Sequence, residues 1–447
     1  MKHQILVLAL LTGLLFSCIQ DKKATLFAPL TPINYKTKLD SLFTSYDTSN
    51  AFMGSIAITH RGKTIYTNAV GFSDLSTKTL IDNDTKYRIG SVSKIYTAAL
   101  VFMAIEDGKL SLAQTISPFF SDIAQAHKIT IAQLLQHRSG IHNFTKDKDF
   151  FNYHTQYKSP EAMLTMISNY ESEFEPNTKG DYSNSNYFLL AQILEHIYEI
   201  PYNTLLSTKI LEPLKLTNTY TGTTMRLANH ESFSYNYTTA WEQLPETNMS
   251  ITLGAGSIVS NPSEVNTFLE ALFAGKIVSM QSLEYMKTII DSYGMGLARY
   301  KINDRQGFGH RGTLDGYKTT AIYFPNEKLA ITMASNATKN NNINAIYTEV
   351  LKIYHKDPVL DISADEVSTY AGIYVSPKDK DSLVFISNKN VLVLVIKNEF
   401  KEPLIYKGNH RFVFEQLYAE SRSHTFAPNG SKLTLEQGDY KGIYIKQ

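Results

Sequence analysis

Apolar positions along the chain change their period several times. Ser55-Ile56-Ala57-Ile58 and Lys63-Thr64-Ile65-Tyr66 have the pattern of two short strands, joined by a His60-Arg61-Gly62 turn. From about Ser91 to Asp107 the spacing becomes helical, with Ile95, Ala98, Ala99, Phe102 and Ile105 apolar and Gly108 to close it. Further helices are expected near Ile131–Gln136, Pro160–Ser168, Asn186–Tyr198 and Pro262–Ala274. Strand patterns return at Thr319–Phe324 and Leu329–Ala334, and a last helix spans about Ile343–Tyr354. Strands at both ends with helices between predict an α/β body, one sheet whose edges come from distant parts of the chain.

After Tyr354 the pattern becomes strand-like almost throughout. Ser382–Ile386 and Val391–Ile396 flank an Asn388-Lys389-Asn390 turn, and Asn429-Gly430 opens a hairpin before Lys432-Leu433-Thr434-Leu435. Residues 358–447 are therefore expected to form a separate small antiparallel barrel or sandwich, of roughly 90 residues, an ordinary domain size. That segment has no convergent set of titratable residues, which suggests a structural or substrate-shaping role.

The first residues do not share these patterns. Lys2 and His3 precede an apolar run from Ile5 to Phe16, well short of the roughly 20 residues a membrane-spanning helix needs. A charged start, a short apolar middle and a small residue before a break define a secretory signal over residues 1–17. Leu15-Phe16-Ser17-Cys18 resembles the lipobox of bacterial lipoproteins, in which the cysteine becomes the lipidated first residue. The alternative is an ordinary signal peptide with an incidental cysteine. Residues 18–37 would be a tether, and acyl chains on Cys18 would hold the protein on a membrane without a spanning helix.

Composition narrows the function classes. The 43 Lys+Arg against 42 Asp+Glu leave a net charge of +1, which offers neither a nucleic-acid footprint nor a polybasic membrane patch. One cysteine excludes an internal disulfide and a cysteine-based zinc site. No cofactor or metal is expected.

Three short motifs carry candidate chemistry. Ser91-Val92-Ser93-Lys94 starts the first long helix, and a serine and a lysine three residues apart share one helix face. A hydroxyl nucleophile needs a nearby base, which a desolvated lysine can supply, and the helix N-terminus aims N–H groups at developing negative charge. The plainer reading is a capping serine and a surface lysine. Tyr182-Ser183-Asn184 lies in a polar run before a helix; the tyrosine can hold or pass a proton, and Asn184 can accept from a lysine or donate to a carbonyl. For an isolated match, an asparagine-rich turn with a half-buried tyrosine is the better explanation. His310-Arg311-Gly312 lies before a predicted strand, followed by Thr313, whose N–H is a candidate oxyanion donor. Tyr66-Thr67-Asn68 and His60-Arg61-Gly62 fit the same patterns, yet a strand and a turn account for both.

The order Ser91-x-x-Lys94, Tyr182-x-Asn184, His310-x-Gly312 resembles the serine β-lactamase and penicillin-binding-protein superfamily. The branch is that of class C β-lactamases, D,D-carboxypeptidases, D-aminopeptidases and related esterases. Leu134-Leu135-Gln136-His137-Arg138-Ser139-Gly140, Gly254-Ala255-Gly256-Ser257-Ile258-Val259-Ser260 and Tyr293-Gly294-Met295-Gly296-Leu297 continue the likeness, which runs from about Leu39 to Tyr354. It implies an antiparallel sheet flanked by helices beside an all-helical subdomain, within a hydrolase domain of residues 38–357. It also implies Ser91 as the nucleophile of an acyl-enzyme, with Lys94 or Tyr182 taking its proton. Asn184 would orient the substrate, and the N–H groups of Ser91 and Thr313 would form the oxyanion hole. His310-Arg311-Gly312 stands where class C β-lactamases have Lys-Thr-Gly, so weak or absent β-lactam hydrolysis is expected; Arg311 either pairs with a substrate carboxylate or projects into solvent. The expected protein is a serine hydrolase of the bacterial cell envelope, exported and lipid-anchored, acting on D-amino-acid peptides, amides or small esters. The alternative is a binding or sensing lipoprotein that keeps the fold without turnover.

Overall fold

The computed structural model describes residues 32–302, 305–339, 343–355, 362–378, 380–396, 400–414 and 422–447. The signal segment, Cys18 and the first part of the expected tether lie outside the described residues. The tether's end at residue 37 is corrected, because helix α1 begins at Pro32 and runs to Thr48. Tyr35, Leu39 and Phe43 recur every four residues, the spacing of one helix face, and all three are buried against the sheet.

Six strands form the main sheet: β1 (Phe52–His60), β2 (Lys63–Val70), β3 (Ala298–Ile302), β4 (Arg305–Leu314), β5 (Tyr317–Phe324) and β6 (Leu329–Thr338). Their order is β3-β4-β5-β6-β1-β2, every pair antiparallel, so the first strand lies beside the last. The strands β1 and β6 are buried on both faces because helices cover both. On one face lie α1 and the helix at Ile343–His355, whose Tyr347, Val350 and Leu351 pack with Ile56, Ile58 and Ile331. The other face meets a helical body.

That body contains α2 (Ser93–Glu106), α3 (Ile131–Leu135), α4 (Pro160–Ser168), α5 (Asn184–Tyr198) and α6 (Pro262–Phe273). Helix α2 is apolar on nearly every side and is enclosed by its neighbours, as a helix without a polar face must be. Helix α6 bridges body and sheet: Phe273 stacks on Tyr323 at 4.5 Å, and Asn266 Nδ2 donates to the Ala57 carbonyl at 2.9 Å. A Thr130/Gln133 capping box starts α3, and side-chain caps from Ser159 and Asn261 start α4 and α6.

His310 precedes the predicted strand, here β5, and itself lies in β4, a strand that the apolar pattern does not predict. Gly307, Gly309 and Gly312 interrupt the apolar alternation there, and the packing explains them. A Cβ at Gly309 would lie 1.9 Å from the Ala321 carbonyl oxygen on β5.

The C-terminal segment opens with a helix at Ala364–Tyr370 and continues as a nine-stranded antiparallel sheet among the described residues. Its two outermost strands, Phe400–Pro403 and Ile405–Tyr406, are consecutive in the chain with only Leu404 between them. The opposite edges therefore lie next to each other and the sheet curls into a nearly closed barrel. Tyr370, Tyr374, Phe385, Phe412, Phe426 and Tyr444 fill it. The predicted hairpins are present, with the left-handed turn residues Lys389 and Gly430 between their strands.

Candidate active site

Ser91 is held in a single 3₁₀ turn, Gly90–Val92, that leads into α2. The segment before it is fixed by pairing of Tyr87 and Arg88 with Ser260 and Val259, and by an Ile89 N–H to Ile258 carbonyl bond of 3.0 Å. Two glycines let this turn lie flat against β4. Gly90 has φ +54, and a Cβ there would come within 2.9 Å of Thr313 N. A Cβ on Gly312 would sit 1.9 Å from the Ile89 carbonyl oxygen and 3.0 Å from Ser91 N. The close approach brings the backbone nitrogens of Ser91 and Thr313 to one junction.

Lys94 lies one turn on, with no exposed surface. Its Nζ is 3.0 Å from Ser91 Oγ, 2.8 Å from Asn184 Oδ1 and 2.7 Å from the Ala255 carbonyl oxygen. It also sits 4.9 Å from the centre of the Tyr182 ring. Burial pushes the Lys94 pKa well below that of an ordinary lysine. A neutral amine fits these neighbours: two N–H donors for the Asn184 and Ala255 oxygens, which can only accept, and one lone pair for the Ser91 hydroxyl.

Tyr182 approaches Ser91 from the other side, its hydroxyl donating to Oγ at 2.8 Å. Burial raises its pKa above the usual phenol value, opposed by the bond to Ser91 and by the charge of Arg311. Tyr182 is therefore a phenol at rest.

Asn184, the first residue of α5, is occupied at both ends. Its Oδ1 takes Lys94, while Nδ2 donates to Thr145 Oγ1 at 3.0 Å and to Asn143 Oδ1 at 3.3 Å. In this arrangement it holds Lys94 in place, accepting from the lysine as the sequence allows. His310 is half-buried, with Nδ1 2.5 Å from the Arg311 carbonyl oxygen; a carbonyl only accepts, so Nδ1 carries the proton and Nε2 the lone pair. Desolvation pulls its pKa down to about 3, so the ring is neutral. Its centroid lies 6.2 Å from that of Tyr182.

Ser91, Lys94, Tyr182 and Asn184 thus form one hydrogen-bonded set, with His310, Gly312 and Thr313 beside it. Asn143, Thr145, Ala255 and His137 also belong to this site. Ala255 and His137 fall in motif stretches visible in the sequence, but Asn143 and Thr145 sit in a loop with no pattern to mark them. The look-alike motif Tyr66-x-Asn68 has a separate role, its hydroxyl bonding Asp40 of α1 at 2.9 Å. Among the described residues no cluster of His, Cys, Asp or Glu is arranged to hold a metal ion.

A buried lysine aimed at a serine on a helix-leading turn, beneath a sheet strand that offers an oxyanion donor, defines the class: a serine hydrolase. The match to the Beta-lactamase family model over residues 39–353 shows that the chain belongs to that family. It is 24% identical to the teichoic acid D-alanine hydrolase of Staphylococcus aureus (strain MRSA252) over 318 residues, 69% of this chain and 76% of that protein. The D-amino acid amidase from Ochrobactrum anthropi SV3, solved with L-phenylalanine amide, superposes with a TM-score of 0.64 at 22% identity, over 72% of this chain and 99% of that one. The penicillin-binding protein homologue from Pyrococcus abyssi gives a TM-score of 0.64 at 20% identity and covers 91% of this chain and 99% of its own.

Proposed function

We propose that this serine hydrolase cleaves D-amino-acyl esters or amides through an acyl-enzyme on Ser91. The observation that carries the chemistry is the set of neighbours of Lys94, which leaves a neutral amine's lone pair for the Ser91 hydroxyl. Lys94 takes the hydroxyl proton as Oγ bonds to the substrate carbonyl carbon. The resulting oxyanion is met by the N–H groups of Ser91 and Thr313, a contribution of about 3 kcal/mol per donor. When the bond to the leaving group breaks, that oxygen or nitrogen receives a proton from the Tyr182 hydroxyl, and the phenolate so formed takes the proton that Lys94 drew from Ser91. Water then attacks the acyl-enzyme along the same route in reverse and frees Ser91.

The substrate class rests on the activities that name the relatives, a teichoic acid D-alanine hydrolase and a D-amino acid amidase. A neutral His310 offers no cation to the carboxylate of a β-lactam, which supports weak or absent β-lactam hydrolysis. We place the protein at the cell envelope, where the hydrolase of teichoic acid D-alanine acts, held by acyl chains on Cys18. Among the described residues no helix is long and apolar enough to cross a membrane.

The test compares kcat/KM for a short-chain aryl ester, a D-amino-acid amide and its L-enantiomer, and a D-Ala-D-Ala peptide, with Ser91→Ala as blank. At least one substrate should turn over about 1,000-fold above the blank. Cleavage of D- but not L-configured substrates supports the proposed class, whereas ester cleavage without stereochemical preference makes the protein a plain esterase. Folded protein no faster than the blank on every substrate makes it a binding lipoprotein.

A further inference from the structure

His137 has no hydrogen bond to the hydroxyl of Ser91, yet it contacts Tyr182 and both of its neighbours in the chain. Its carbonyl oxygen accepts the Asp181 N–H at 2.9 Å, and its ring Nδ1 accepts the Ser183 N–H at 3.2 Å. Its ring lies against that of Tyr182, with centroids 4.3 Å apart. One residue thus grips the backbone on both sides of Tyr182 and covers one side of its ring. The arrangement has a conformational cost: His137 has φ +57, in the left-handed region that side chains other than glycine seldom adopt. That conformation lets its carbonyl and ring reach two N–H groups only two residues apart.

A backbone N–H can only donate, so Nδ1 must carry a lone pair and the proton sits on Nε2. A protonated ring would present an N–H to the N–H of Ser183. Burial lowers the pKa well below that of an ordinary histidine and keeps the acceptor. The ring is also 5.1 Å from that of Tyr293, so Tyr182 and Tyr293 share one wall.

We infer that His137 is the positioning residue of the Tyr182 acid–base group, fixing its hydroxyl against Ser91 through the bonds to residues 181 and 183. The inference rests on the reading of Ser91 and Tyr182 as the reacting pair. Misplacing a proton donor by about 1 Å costs on the order of 100-fold in rate.

The experiment uses the full protein with His137→Leu and His137→Asn. Leucine removes the acceptor. Asparagine tolerates a left-handed φ and offers Oδ1 near the place of Nδ1, but gives up the ring contact. Acylation by an aryl ester is followed in single turnover, with KM and thermal midpoint measured for each variant. A second readout is the carbon NMR signal of the Tyr182 ring in ¹³C-tyrosine-labelled protein, assigned with Tyr182→Phe. Acylation should fall about 100-fold in His137→Leu with KM within about threefold, and recover to within about tenfold of the parent in His137→Asn. The Tyr182 signal should move in His137→Leu by more than in His137→Asn. His137→Leu acylated within threefold of the parent overturns the inference, as does His137→Asn as slow as His137→Leu at an equal thermal midpoint. If His137→Leu does not fold, a folded His137→Asn that has lost 100-fold overturns it too. A parent protein that is not acylated refutes the Ser91 reading, and a Tyr182 signal equally displaced in both variants then overturns the positioning role by itself.

Discussion

Whether Lys94 holds a proton decides what Ser91 can do. An ammonium among three oxygens would donate to all of them and leave the serine proton without an acceptor. Burial tips the balance to the amine, while the same burial keeps Tyr182 protonated, so the two groups rest as base and acid. The rate should therefore show an acid limb: kcat/KM rises with pH as Lys94 loses its proton, at a pKa below the lysine range, and then levels off. Lys94→Arg keeps length and charge but cannot become neutral, and should lose about 10²–10⁴-fold in kcat/KM. A pH–rate profile of the parent with no acid limb, or a Lys94→Arg variant within tenfold of the parent, would refute this division of roles.

At the scale of the element, the site depends on how closely a turn and a strand approach. Gly312 has no room for a methyl group, because the atom in its way is the backbone oxygen of Ile89 and cannot rotate aside. Gly312→Ala should push β4 off the Gly90–Val92 turn, separate the nitrogens of Ser91 and Thr313, and lower kcat by about 100-fold. Gly62, in the β1–β2 turn, is the control: it also has positive φ, +76, but nothing within 4 Å of its Cβ position. Gly62→Ala should cost about 1–2 kcal/mol of stability and leave kcat unchanged. Equal kcat losses in the two variants, or none in Gly312→Ala, would refute the close-approach argument. The same glycines explain what could be read from the sequence. Helices α4 and α6 follow from an apolar stripe and a side-chain cap, α2 and α5 from apolar spacing alone, and Ser91, Lys94 and Tyr182 from motif order. Strand β4 does not, since three glycines demanded by contacts with β5 and the serine turn erase its alternation. Asn143 and Thr145 stay hidden for a related reason: they act through hydrogen bonds to a residue some 40 positions away, which no local spacing encodes.

Across the whole molecule, burial of histidine sets a limit on the acid side. His137 and His310 in the hydrolase body and His424 in the C-terminal barrel are all held neutral, chiefly by desolvation, His310 down to about 3 and His424 to about 4. In the unfolded chain each would take a proton near pH 6.5. Below that pH the unfolded state binds protons that the native state refuses, so stability falls as pH falls, from about 6.5 down to each folded value. The slope is about 1.4 kcal/mol per pH unit for each histidine so held. The depressed carboxylates, such as Asp107 with its bonds to Tyr198 and Lys209, act in the same direction at lower pH. His424 offers a clean way to separate one such contribution, because it packs edge-on against Phe385 in an aromatic core and belongs to none of the reacting groups. Replacing it by phenylalanine removes the titration and keeps the ring. Thermal midpoints of parent and His424→Phe should converge at pH 7.5 or differ by a constant packing offset, and the variant should lose less on acidification between pH 6.5 and 4. Parallel midpoint curves for the two proteins over that range would mean that His424 accepts its proton in the folded barrel, and the burial argument would fail for it.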